Sequence, residues 1–552
     1  MPCGSYEAYP GAASRPLSPE YRPRRPEESV LYQLVEEHVA TFLESACERS
    51  PSGFGLPRFV ERTFSDFLGC GVLALGFCRV RCDDCGREMA LPFSCKRRGL
   101  CPSCDGRRMA DSAAHLVDRV LPRVPYRQWT MSFPKRVRFA LARDGALLTR
   151  VLRAFLQVVF AWQRRRARAL SASSPSAGAV TAIARAGGMA NLNVHFHSIL
   201  PDGVFAGGVP KDAPPVFVAL APPTDAEVEA LLLQIARRVE RLVAQHAAER
   251  ELSDEEPDAL TVAQGESVMA PAAQRVLEAE HAARPKPRCA FLEGYSLHAD
   301  VAVHENDRLG LERLCRYILR PSVATNRLRR TDDGLVRYRF RRPDAAGCTE
   351  ILLSPEDFLA RLATVIPPPR QHLLRYHGCF APRSALRLAI VPRIPNKTPR
   401  RLARRLTRIV PSQPDSPDSP DSNAHPDSPE PDSLDSTPAS ATHSPSDACP
   451  VPADSPSEPL STSDLPATLL SRRLDWAGLL QRVFDIDVTR CAHCGGRVRI
   501  LAVLAHPDIA HPVLKHLGLP TRLPAPAPAR SPPQLDLGDW DPVPDNFDDS
   551  TP

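Results

Sequence analysis

The spacing of hydrophobic residues along the chain predicts a body that contains both helices and strands. Apolar residues recur every three or four positions, as on one face of a helix, over 29–47, 147–170, 224–242 and 309–320. Apolar and polar residues alternate, as in strands, over 126–133, 179–185, 192–200 and 295–304. Helical and strand patterns are mixed within one stretch of sequence, which predicts an α+β fold.

The strand predicted over 192–200 carries two histidines that flank one hydrophobic residue. Gly187-Gly188 separates it from the preceding strand, so the two are expected to form a hairpin. Strand side chains alternate between faces, so His195 and His197 leave the same face, about 7 Å apart. This arrangement suits two imidazoles that share one metal ion, although polar residues on a half-exposed strand would show the same pattern.

The helix predicted over 309–320 places a tyrosine away from its apolar stripe. The stripe consists of Leu311, Leu314, Cys315 and Ile318. At 100° per residue, Tyr317 points about 110° away from the centre of that stripe and lies beside Arg313 and Arg320. A phenol on an arginine face is suitably placed to attack a phosphodiester. An amphipathic tyrosine at the boundary of the core is the alternative interpretation.

Two Cys-x-x-Cys pairs near the N-terminus predict a zinc site. Cys82 and Cys85 are followed, after fifteen residues, by Cys101 and Cys104, a spacing typical of a four-thiolate zinc ribbon. Three further thiols lie close by in the sequence, and one of them, Cys95, is able to replace a ligand. The flanking basic residues that favour contact with DNA phosphates are Arg97, Arg98, Arg107 and Arg108. A purely structural zinc clip without DNA contact is the alternative.

A third pair, Cys491 and Cys494, has no later cysteine to complete a zinc site. From the sequence, either His506, His511 or another protomer is needed to supply the remaining ligands.

Charge and composition point to nucleic acid as the partner. The net charge is +6, yet residues 411–470 hold eleven acidic residues and no Lys or Arg, so the rest of the chain carries +17. Residues 383–408 hold nine basic residues and no acidic one, and Arg400, Arg401, Arg404 and Arg405 are expected to follow a DNA backbone. The paired cysteines favour zinc in a reducing cytoplasm, and no export signal or membrane span is predicted.

Composition also predicts how the chain is divided. The chain has 59 prolines and only 6% aromatic residues, so part of it is expected not to pack. The predicted regions are a disordered 1–27, an N-terminal helix and zinc-binding domain at 28–120, a catalytic domain at 121–410 with a helical insertion at about 210–287, a disordered acidic linker at 411–465, a small Cys-x-x-Cys segment at 466–519 and a disordered tail at 520–552.

Taken together, these motifs resemble the rolling-circle transposases of the insertion-sequence-91 and common-region type. The resemblance spans most of 55–405 and returns at 476–505. Four groups of residues carry it: the cysteine pairs with Phe93-Ser94-Cys95-Lys96, Val194-His195-Phe196-His197 with Leu200-Pro201-Asp202-Gly203, Leu314-Cys315-Arg316-Tyr317-Ile318 with Arg320-Pro321, and Arg375-Tyr376-His377-Gly378.

The resemblance implies both a fold and a mechanism. The fold is a central antiparallel sheet with helices, the palm of the His-hydrophobic-His endonucleases, with an N-terminal zinc-ribbon-like domain and disordered tails. The implied chemistry is nicking and transfer of single-stranded DNA through a 5′-phosphotyrosine at Tyr317, with Mg²⁺ or Mn²⁺ on His195 and His197 and structural Zn²⁺ on the cysteines. A third ligand for the catalytic ion is expected, and the candidates are Gln128, Glu293, His298 and His304.

The sequence departs from better-known members of this class at one position. They carry a second tyrosine one helical turn before the first, and here that position is Arg313. The chain therefore resembles the single-tyrosine branch, in which later strand transfers need a freed 3′-hydroxyl or a second protomer of a homo-oligomer. The expected partner is the single-stranded ends of its own mobile element, in the bacterial cytoplasm at the nucleoid. The alternatives are a plasmid replication initiator or relaxase, and a non-catalytic zinc-dependent regulator.

Overall fold

The computed structural model describes residues 21, 23–188, 190–207, 214–250, 256–269, 274–277, 287–341, 343, 347–392 and 474–530. The chain divides into two units, Met1–Arg393 with Arg473–Pro552, and Ile394–Arg472. The second unit lies outside the described residues, and with it the predicted linker at 411–465 and the predicted DNA-binding residues Arg400, Arg401, Arg404 and Arg405. The fold described below is that of the first unit.

The described residues form helices and antiparallel strands, which confirms the predicted α+β class. The helices are α1 (Val30–Glu48), α2 (Arg58–Leu68), α3 (Pro102–Arg119), α4 (Lys135–Arg143), α5 (Gly145–Ala169), α6 (Asp225–Arg250), α7 (Ala259–Met269), α8 (Arg308–Ile318), α9 (Pro355–Val365), α10 (Arg387–Ile390), α11 (Trp476–Phe484) and α12 (Pro507–His516). The strands are β1 (Phe77–Cys82), β2 (Glu88–Pro92), β3 (Tyr126–Ser132), β4 (Gly178–Ala186), β5 (Leu192–Pro201), β6 (Gly203–Ala206), β7 (Val216–Ala219), β8 (Gln274–Leu277), β9 (Cys289–Leu292), β10 (Tyr295–His298), β11 (Ala302–Val303), β12 (Leu328–Arg330), β13 (Val336–Arg339), β14 (Cys348–Leu353), β15 (Leu374–Gly378) and β16 (Val498–Leu504).

A seven-stranded antiparallel sheet, called the central sheet below, lies in the first unit. Its strand order is β15-β4-β5-β3-β10-β9, and β11 pairs with β3. The predicted hairpin of β4 and β5 is present. Strand β5 lies between β4 and β3, and its His197 is paired with Ala182 on β4 and with Thr130 on β3. Residues paired in this way share one face of a sheet, so the histidines project from the middle of the sheet.

The two faces of the central sheet pack against different helices. One face carries Phe196 and packs against the large apolar core that α5 and α6 complete. The opposite face packs against apolar residues of α3 and α8, including the predicted stripe of α8, all of which is buried. Asp307 caps α8 by accepting a hydrogen bond from the backbone N–H of Gly310, at 2.7 Å. The histidine face of the sheet is therefore also the face that α8 covers.

Helix α5 is the core helix of the molecule. Asp144 caps it by accepting hydrogen bonds from the backbone N–H groups of Ala146 and Leu147. Within the described residues, α5 is the one helix that is long and apolar enough to cross a membrane. Most of its apolar stretch is buried inside the protein. Its apolar length is thus explained by packing between the central sheet and α6.

A second core lies beside the central sheet. It combines α1, α2 and α9 with one face of the antiparallel sheet β12-β13-β14-β8. Cys70, Cys101 and Cys104 are buried in this same core. The region predicted as a separate zinc-binding domain at 28–120 therefore shares its core with residues 323–366 of the predicted catalytic domain.

The C-terminal segment joins the N-terminal part of the chain. Strand β16 pairs with β1 along its length, from Phe77 opposite Leu504 to Cys82 opposite Val498, and completes the sheet β16-β1-β2. Helix α12 packs on that sheet with Ala510 and Leu514 against Phe77. The segment predicted as a separate small region at 466–519 is therefore integrated with the predicted zinc-binding region.

Both ends of the described chain extend further into ordered contacts than the sequence predicted. Residues 520–530, predicted to be part of a disordered tail, lie against α1: the backbone N–H of Ala527 donates to the carbonyl of Glu36 at 2.8 Å. Within the predicted disordered stretch 1–27, Arg24 donates to the carbonyl oxygen of Cys70 at 2.5 Å. The rest of these two stretches, 1–20, 22 and 531–552, lies outside the described residues.

Candidate active site and metal centres

Eight cysteines form two clusters, each of which brings four Sγ atoms within 4.8 Å of one another. The first cysteine cluster consists of Cys70, Cys95, Cys101 and Cys104. Its Sγ–Sγ distances include 3.7 Å between Cys70 and Cys104, and 3.5 Å between Cys95 and Cys104. Four sulfurs placed tetrahedrally at about 2.3 Å from zinc lie about 3.8 Å apart, so this set fits a zinc ion.

The sequence around the first cysteine cluster favours thiolates. Cys101 is the N-cap of α3, Pro102 starts the helix, and Cys104 lies in the first turn. A helix N-terminus stabilises negative charge, and a thiolate is the form of cysteine that binds zinc. Arg24 adds a positive charge at 2.9 Å from the Cys70 Sγ atom.

The second cysteine cluster consists of Cys82, Cys85, Cys491 and Cys494. The Sγ atoms of Cys82 and Cys494 are 3.5 Å apart, and those of Cys85 and Cys491 are 3.7 Å apart. Cys82 and Cys491 are buried, whereas Cys85 and Cys494 are exposed. Backbone N–H groups of Cys494 and His493 lower the pKa of the Cys491 thiol to about 7.

This arrangement corrects the grouping predicted from spacing, which placed Cys82, Cys85, Cys101 and Cys104 around one ion. The first two lie in the second cysteine cluster and the last two in the first. It also corrects the prediction that His506, His511 or another protomer completes the Cys491 and Cys494 pair. A usable signal was present: Gly86 and Gly495 directly follow their pairs, whereas Asp105 follows the third pair.

The two histidines of β5 point their Nε2 atoms at the same place. These atoms are 3.1 Å apart, and both side chains are at least 92% buried. Neighbouring ligands of an octahedral ion at about 2.1 Å are separated by about 3 Å, so the imidazoles fit two adjacent positions around one ion. Among the described residues, no third Cys, His, Asp or Glu lies close enough to complete a set of three with them.

Hydrogen bonds determine which nitrogen of each imidazole carries the proton. The carbonyl of Asn193 can only accept, so the His195 Nδ1 atom, at 2.7 Å, carries hydrogen and leaves Nε2 with a free lone pair. The His197 Nε2 atom must then donate to that lone pair, and its Nδ1 atom accepts from Gln128 Nε2 at 2.9 Å. Binding an ion requires the other tautomer of His197, with the Gln128 amide turned so that its oxygen accepts from Nδ1.

Both imidazoles are held neutral. Burial lowers the pKa of His195 to about 4, and the positive charge of Arg320 adds to the effect. Burial, the neighbouring His195 and Arg320 lower the pKa of His197 well below 6.5. Neutral imidazole is the form that binds a metal ion, so proton competition at neutral pH is weak.

The structure brings Tyr317 to the histidine pair. Its ring centroid lies 5.8 Å from that of His197, with the rings close to perpendicular, and the side chain is 38% exposed. The guanidinium of Arg320 lies 4.4 Å from the centre of the tyrosine ring, and that of Arg341 lies 5.9 Å from it. The phenol thus stands at the edge of a buried metal-type site, open to solvent and beside two cations.

The four candidate third ligands occupy different positions. Gln128 is buried and contacts the Nδ1 side of His197, away from the face on which the Nε2 atoms meet. The Nδ1 atom of His298 lies 2.9 Å from the Cys289 Sγ atom, and that of His304 accepts from the N–H of Asn306. Glu293 lies between β9 and β10, with a positive φ of 46°. None of the four side chains joins the two Nε2 atoms as a third ligand in this structure.

The predicted DNA-binding arginines have varied surroundings. Arg97 pairs with Asp66, and Arg98 donates to the carbonyl of Gln371 at 2.7 Å, so both already bond to protein. Arg108 donates to the carbonyl of Lys96 at 2.9 Å. Arg107, Arg108, Arg313 and Arg320 are exposed.

The Leu-Pro-Asp-Gly motif after the histidine strand has a structural role. Asp202 accepts two hydrogen bonds from the buried guanidinium of Arg127, at 2.8 and 2.9 Å. Arg127 also donates to the carbonyl of Ala299. A Cβ atom on Gly203 would lie 2.3 Å from the Val218 carbonyl oxygen, so only glycine fits there. The motif fixes the end of β5 relative to β3 and β10.

Comparison with known protein families gives two matches. Residues 178–386 match the family described as "Putative transposase", a range that contains His195, His197 and Tyr317. Residues 35–133 match the transposase zinc-binding domain of the insertion-sequence-91 type, and Cys491 and Cys494 lie outside both ranges. No curated protein and no solved structure matches the chain.

The two matched ranges do not overlap, and together they cover more than half of the 552 residues. They contain the histidine pair, Tyr317, the whole first cysteine cluster and half of the second. DNA is the partner that these domains imply, and the cysteine clusters supply the ligands for structural zinc. The chain belongs to the transposases of the insertion-sequence-91 type.

Proposed function

We propose that this transposase nicks and transfers single-stranded DNA through a covalent 5′-phosphotyrosine at Tyr317, as in rolling-circle transposition. The observation that carries the proposal is the distance of 5.8 Å between the ring centroids of Tyr317 and His197, whose Nε2 atom lies 3.1 Å from that of His195. A candidate nucleophile, two potential metal ligands and two arginines therefore lie close together on one face of the central sheet.

The residues that would hold a divalent ion, Mg²⁺ or Mn²⁺, are His195 and His197. Such an ion polarises the phosphate that is to be cleaved and neutralises charge that develops on its oxygens. Imidazole ligands favour Mn²⁺ over Mg²⁺. Gln128 is a positioning residue in this scheme, because its contact with Nδ1 holds the ring orientation of His197, and with the amide turned its oxygen would accept from Nδ1–H and leave Nε2 free for the ion.

The proposed reaction exchanges one phosphodiester for another. The phenol oxygen of Tyr317 attacks the phosphorus, the bond from phosphorus to the 3′-oxygen breaks, and that oxygen takes up a proton to become a free 3′-hydroxyl. The phenol proton is lost to water. The guanidinium groups of Arg320 and Arg341, 4.4 and 5.9 Å from the centre of the Tyr317 ring, place positive charge where the phosphate of the strand would lie. The later attack of a 3′-hydroxyl on the phosphotyrosine restores DNA without an external energy source.

Single-stranded DNA is the substrate that this site favours. Tyr317 is 38% exposed at a surface lined by Arg320 and Arg341. A flexible single strand can bring one phosphate past Tyr317 towards the buried histidine pair, whereas a regular duplex keeps its backbone on a wide cylinder. Arg313 occupies the position one turn before Tyr317, so each chain offers one nucleophile on α8. Complete transposition then uses a freed 3′-hydroxyl or a second protomer of a homo-oligomer.

The proposal is tested with Tyr317→Phe in the full chain. This change removes only the hydroxyl, so we expect unchanged stability and complete loss of both strand cleavage and the covalent adduct with a single-stranded oligonucleotide from the element's end. Tyr376→Phe is the matched control, since Arg387 lies over its ring at 5.3 Å and it stands at the edge strand of the same sheet. An adduct that persists in Tyr317→Phe and maps to another tyrosine would overturn the nucleophile assignment.

The metal ligands are tested with the double substitution His195→Ala and His197→Ala. We expect cleavage to stop while single-stranded DNA affinity changes little, because affinity arises chiefly from many phosphate contacts. Cleavage in the presence of Mn²⁺, Mg²⁺ or a chelator, together with a binding titration, measures both quantities. Cleavage by the double variant at the wild-type rate and without divalent ions would remove the histidine pair from the mechanism.

A further inference from the structure

We propose that Cys82, Cys85, Cys491 and Cys494 bind a second zinc ion, which fastens the C-terminal segment to the N-terminal part of the chain. Cys491 and Cys494 lie beyond both matched ranges, so neither family match accounts for this site. The inference does not depend on the chemistry proposed for Tyr317.

The sulfur positions are those of a zinc site and differ from those of disulfides. The two measured Sγ–Sγ distances across the cluster are 3.5 and 3.7 Å, close to the roughly 3.8 Å edge of a zinc–thiolate tetrahedron. A disulfide requires about 2.05 Å between sulfurs. All four Sγ atoms lie within 4.8 Å of one another, so each is close to three potential partners, as a tetrahedron requires.

The backbone around the two cysteine pairs is built in the same way on both sides. The carbonyl of Cys82 accepts from the N–H of Gly86 at 3.1 Å, and the carbonyl of Cys491 accepts from the N–H of Gly495 at 2.8 Å. Both glycines have positive φ angles, +70° and +75°, which other residues rarely adopt. Two matching turns that point their thiols at one another are the usual construction of a zinc ribbon.

Contacts outside the cysteines hold these turns in register without metal. The backbone N–H of Asp83 donates to the carbonyl of Arg497 at 2.9 Å, and Asp83 forms an ion pair with Arg499 at 2.6 Å. Next to the second turn, a Cβ atom on Gly496 would lie 2.4 Å from an oxygen of Asp84, so the two turns approach closely only because that residue is glycine. The ligand set is therefore preorganised by the pairing of β1 with β16.

The small apolar core around this sheet gives the ion a clear role. Among the described residues, the buried core of this region consists of Ala74, Phe77, Ala510 and Leu514 alone. So little buried apolar surface stabilises a segment only weakly, whereas metal binding to a structural zinc site contributes directly to the free energy of folding. We therefore expect the ion to add the stability that the pairing of β1 with β16 and this small core do not provide by themselves.

The test is zinc content per full-length chain, measured on purified protein by elemental analysis. We expect two zinc ions in the wild type and one in the Cys491→Ser, Cys494→Ser double variant. Cys47→Ser with Cys78→Ser is the matched control, since both residues are outside the clusters and Cys78 lies on β1 itself; it should keep two ions. Two ions in the Cys491→Ser, Cys494→Ser variant, or one in the wild type, would overturn the proposal.

A second measurement separates loss of the ion from general misfolding. Cys494→His replaces one ligand by another that zinc accepts, so this variant should retain two ions where Cys494→Ser does not. In addition, a protease site inserted within 411–465 allows the chain to be cut. The C-terminal fragment should then stay bound to the N-terminal fragment until a zinc chelator is added. A fragment that separates without chelator, or that a chelator leaves in place, contradicts the proposed role of the ion.

Discussion

The first cysteine cluster draws its ligands from a short stretch in which Cys70 and Cys104 are 34 positions apart, whereas the second joins cysteines 406 and 412 positions apart. The first is surrounded by the core of α1, α2 and α9, and the second lies at the surface with two exposed thiols. Four cysteines thus serve a different purpose in each cluster. The first cluster reinforces the large core of α1, α2 and α9, whereas the second compensates for the small core beside the sheet β16-β1-β2.

The largest expected effect comes from removing two cysteine ligands from each cluster and comparing the damage to folding. Cys101→Ser with Cys104→Ser leaves unpaired polar groups within a large core and removes a contribution on the order of 10 kcal/mol, so we expect loss of cooperative folding of the residues around α1, α2 and α9. Cys491→Ser with Cys494→Ser should release only the C-terminal segment. Thermal unfolding and near-ultraviolet circular dichroism distinguish the two outcomes, and equal damage from both variants would contradict the comparison.

A smaller effect is expected from the ion pairs that also hold the C-terminal segment. Arg482 on α11 donates to Asp118 and to Glu312, the latter at 2.6 Å. Burial alone would raise the pKa of Glu312, but hydrogen bonds from Arg482 and Arg316 outweigh it and lower the pKa. We expect Arg482→Ala to cost about 1–3 kcal/mol at pH 7, measured by denaturant unfolding.

The same ion pair predicts a pH dependence. A carboxyl group whose pKa is lowered by folding stabilises the protein above its unfolded pKa of about 4.3, and this stability is lost as the pH falls through the folded value. The difference between wild type and Arg482→Ala should therefore shrink below about pH 4. Arg490→Ala, at an exposed ion pair with Asp487, is the control and should cost less at every pH. A pH-independent difference would assign the effect of Arg482 to packing alone.

The smallest effect is expected from a substitution of Arg24, which contacts Cys70 in the first cysteine cluster and none of the cysteines in the second. Its guanidinium lies 2.9 Å from the Cys70 Sγ atom and stabilises negative charge there. Arg24→Ala should keep the zinc ion but weaken its retention by about 1 kcal/mol, or about fivefold in the rate of transfer to a chelator. The measurement is made in the Cys491→Ser, Cys494→Ser background, so that one ion is followed. Arg25→Ala is the control, and an equal change in both variants would exclude a specific role.

The elements that carry the proposed chemistry were predictable because their signals are local. The alternation around His195 and His197 predicted β5, the stripe of Leu311, Leu314, Cys315 and Ile318 predicted α8, and the helical spacing over 224–242 predicted α6. Arg320 was also predicted to lie beside Tyr317. Each of these predictions depends on residues within a few positions of one another, where helix and strand periodicity determines the geometry.

The grouping of the cysteines was not predictable from spacing, because it depends on the pairing of β1 with β16 across most of the chain. Spacing between pairs favours the nearest partners, so it grouped Cys82 and Cys85 with Cys101 and Cys104. In the structure, Cys101 instead starts α3 beside Cys70, and the glycines after Cys85 and Cys494 mark the true partners. The hydrogen bond between Gln128 and His197 was likewise not predictable, because it depends on the register of β3 against β5.

The distance between the halves of the second cysteine cluster has a consequence for biosynthesis. Cys85 leaves the ribosome 406 residues before Cys491, which is about 20 to 80 s at usual rates of translation. During that interval Cys82 and Cys85 have no partner cysteines, and their thiols are open to oxidation or to transient metal. A chain that terminates early never acquires the missing pair. Completion of this cluster thus reports that translation has passed Cys494.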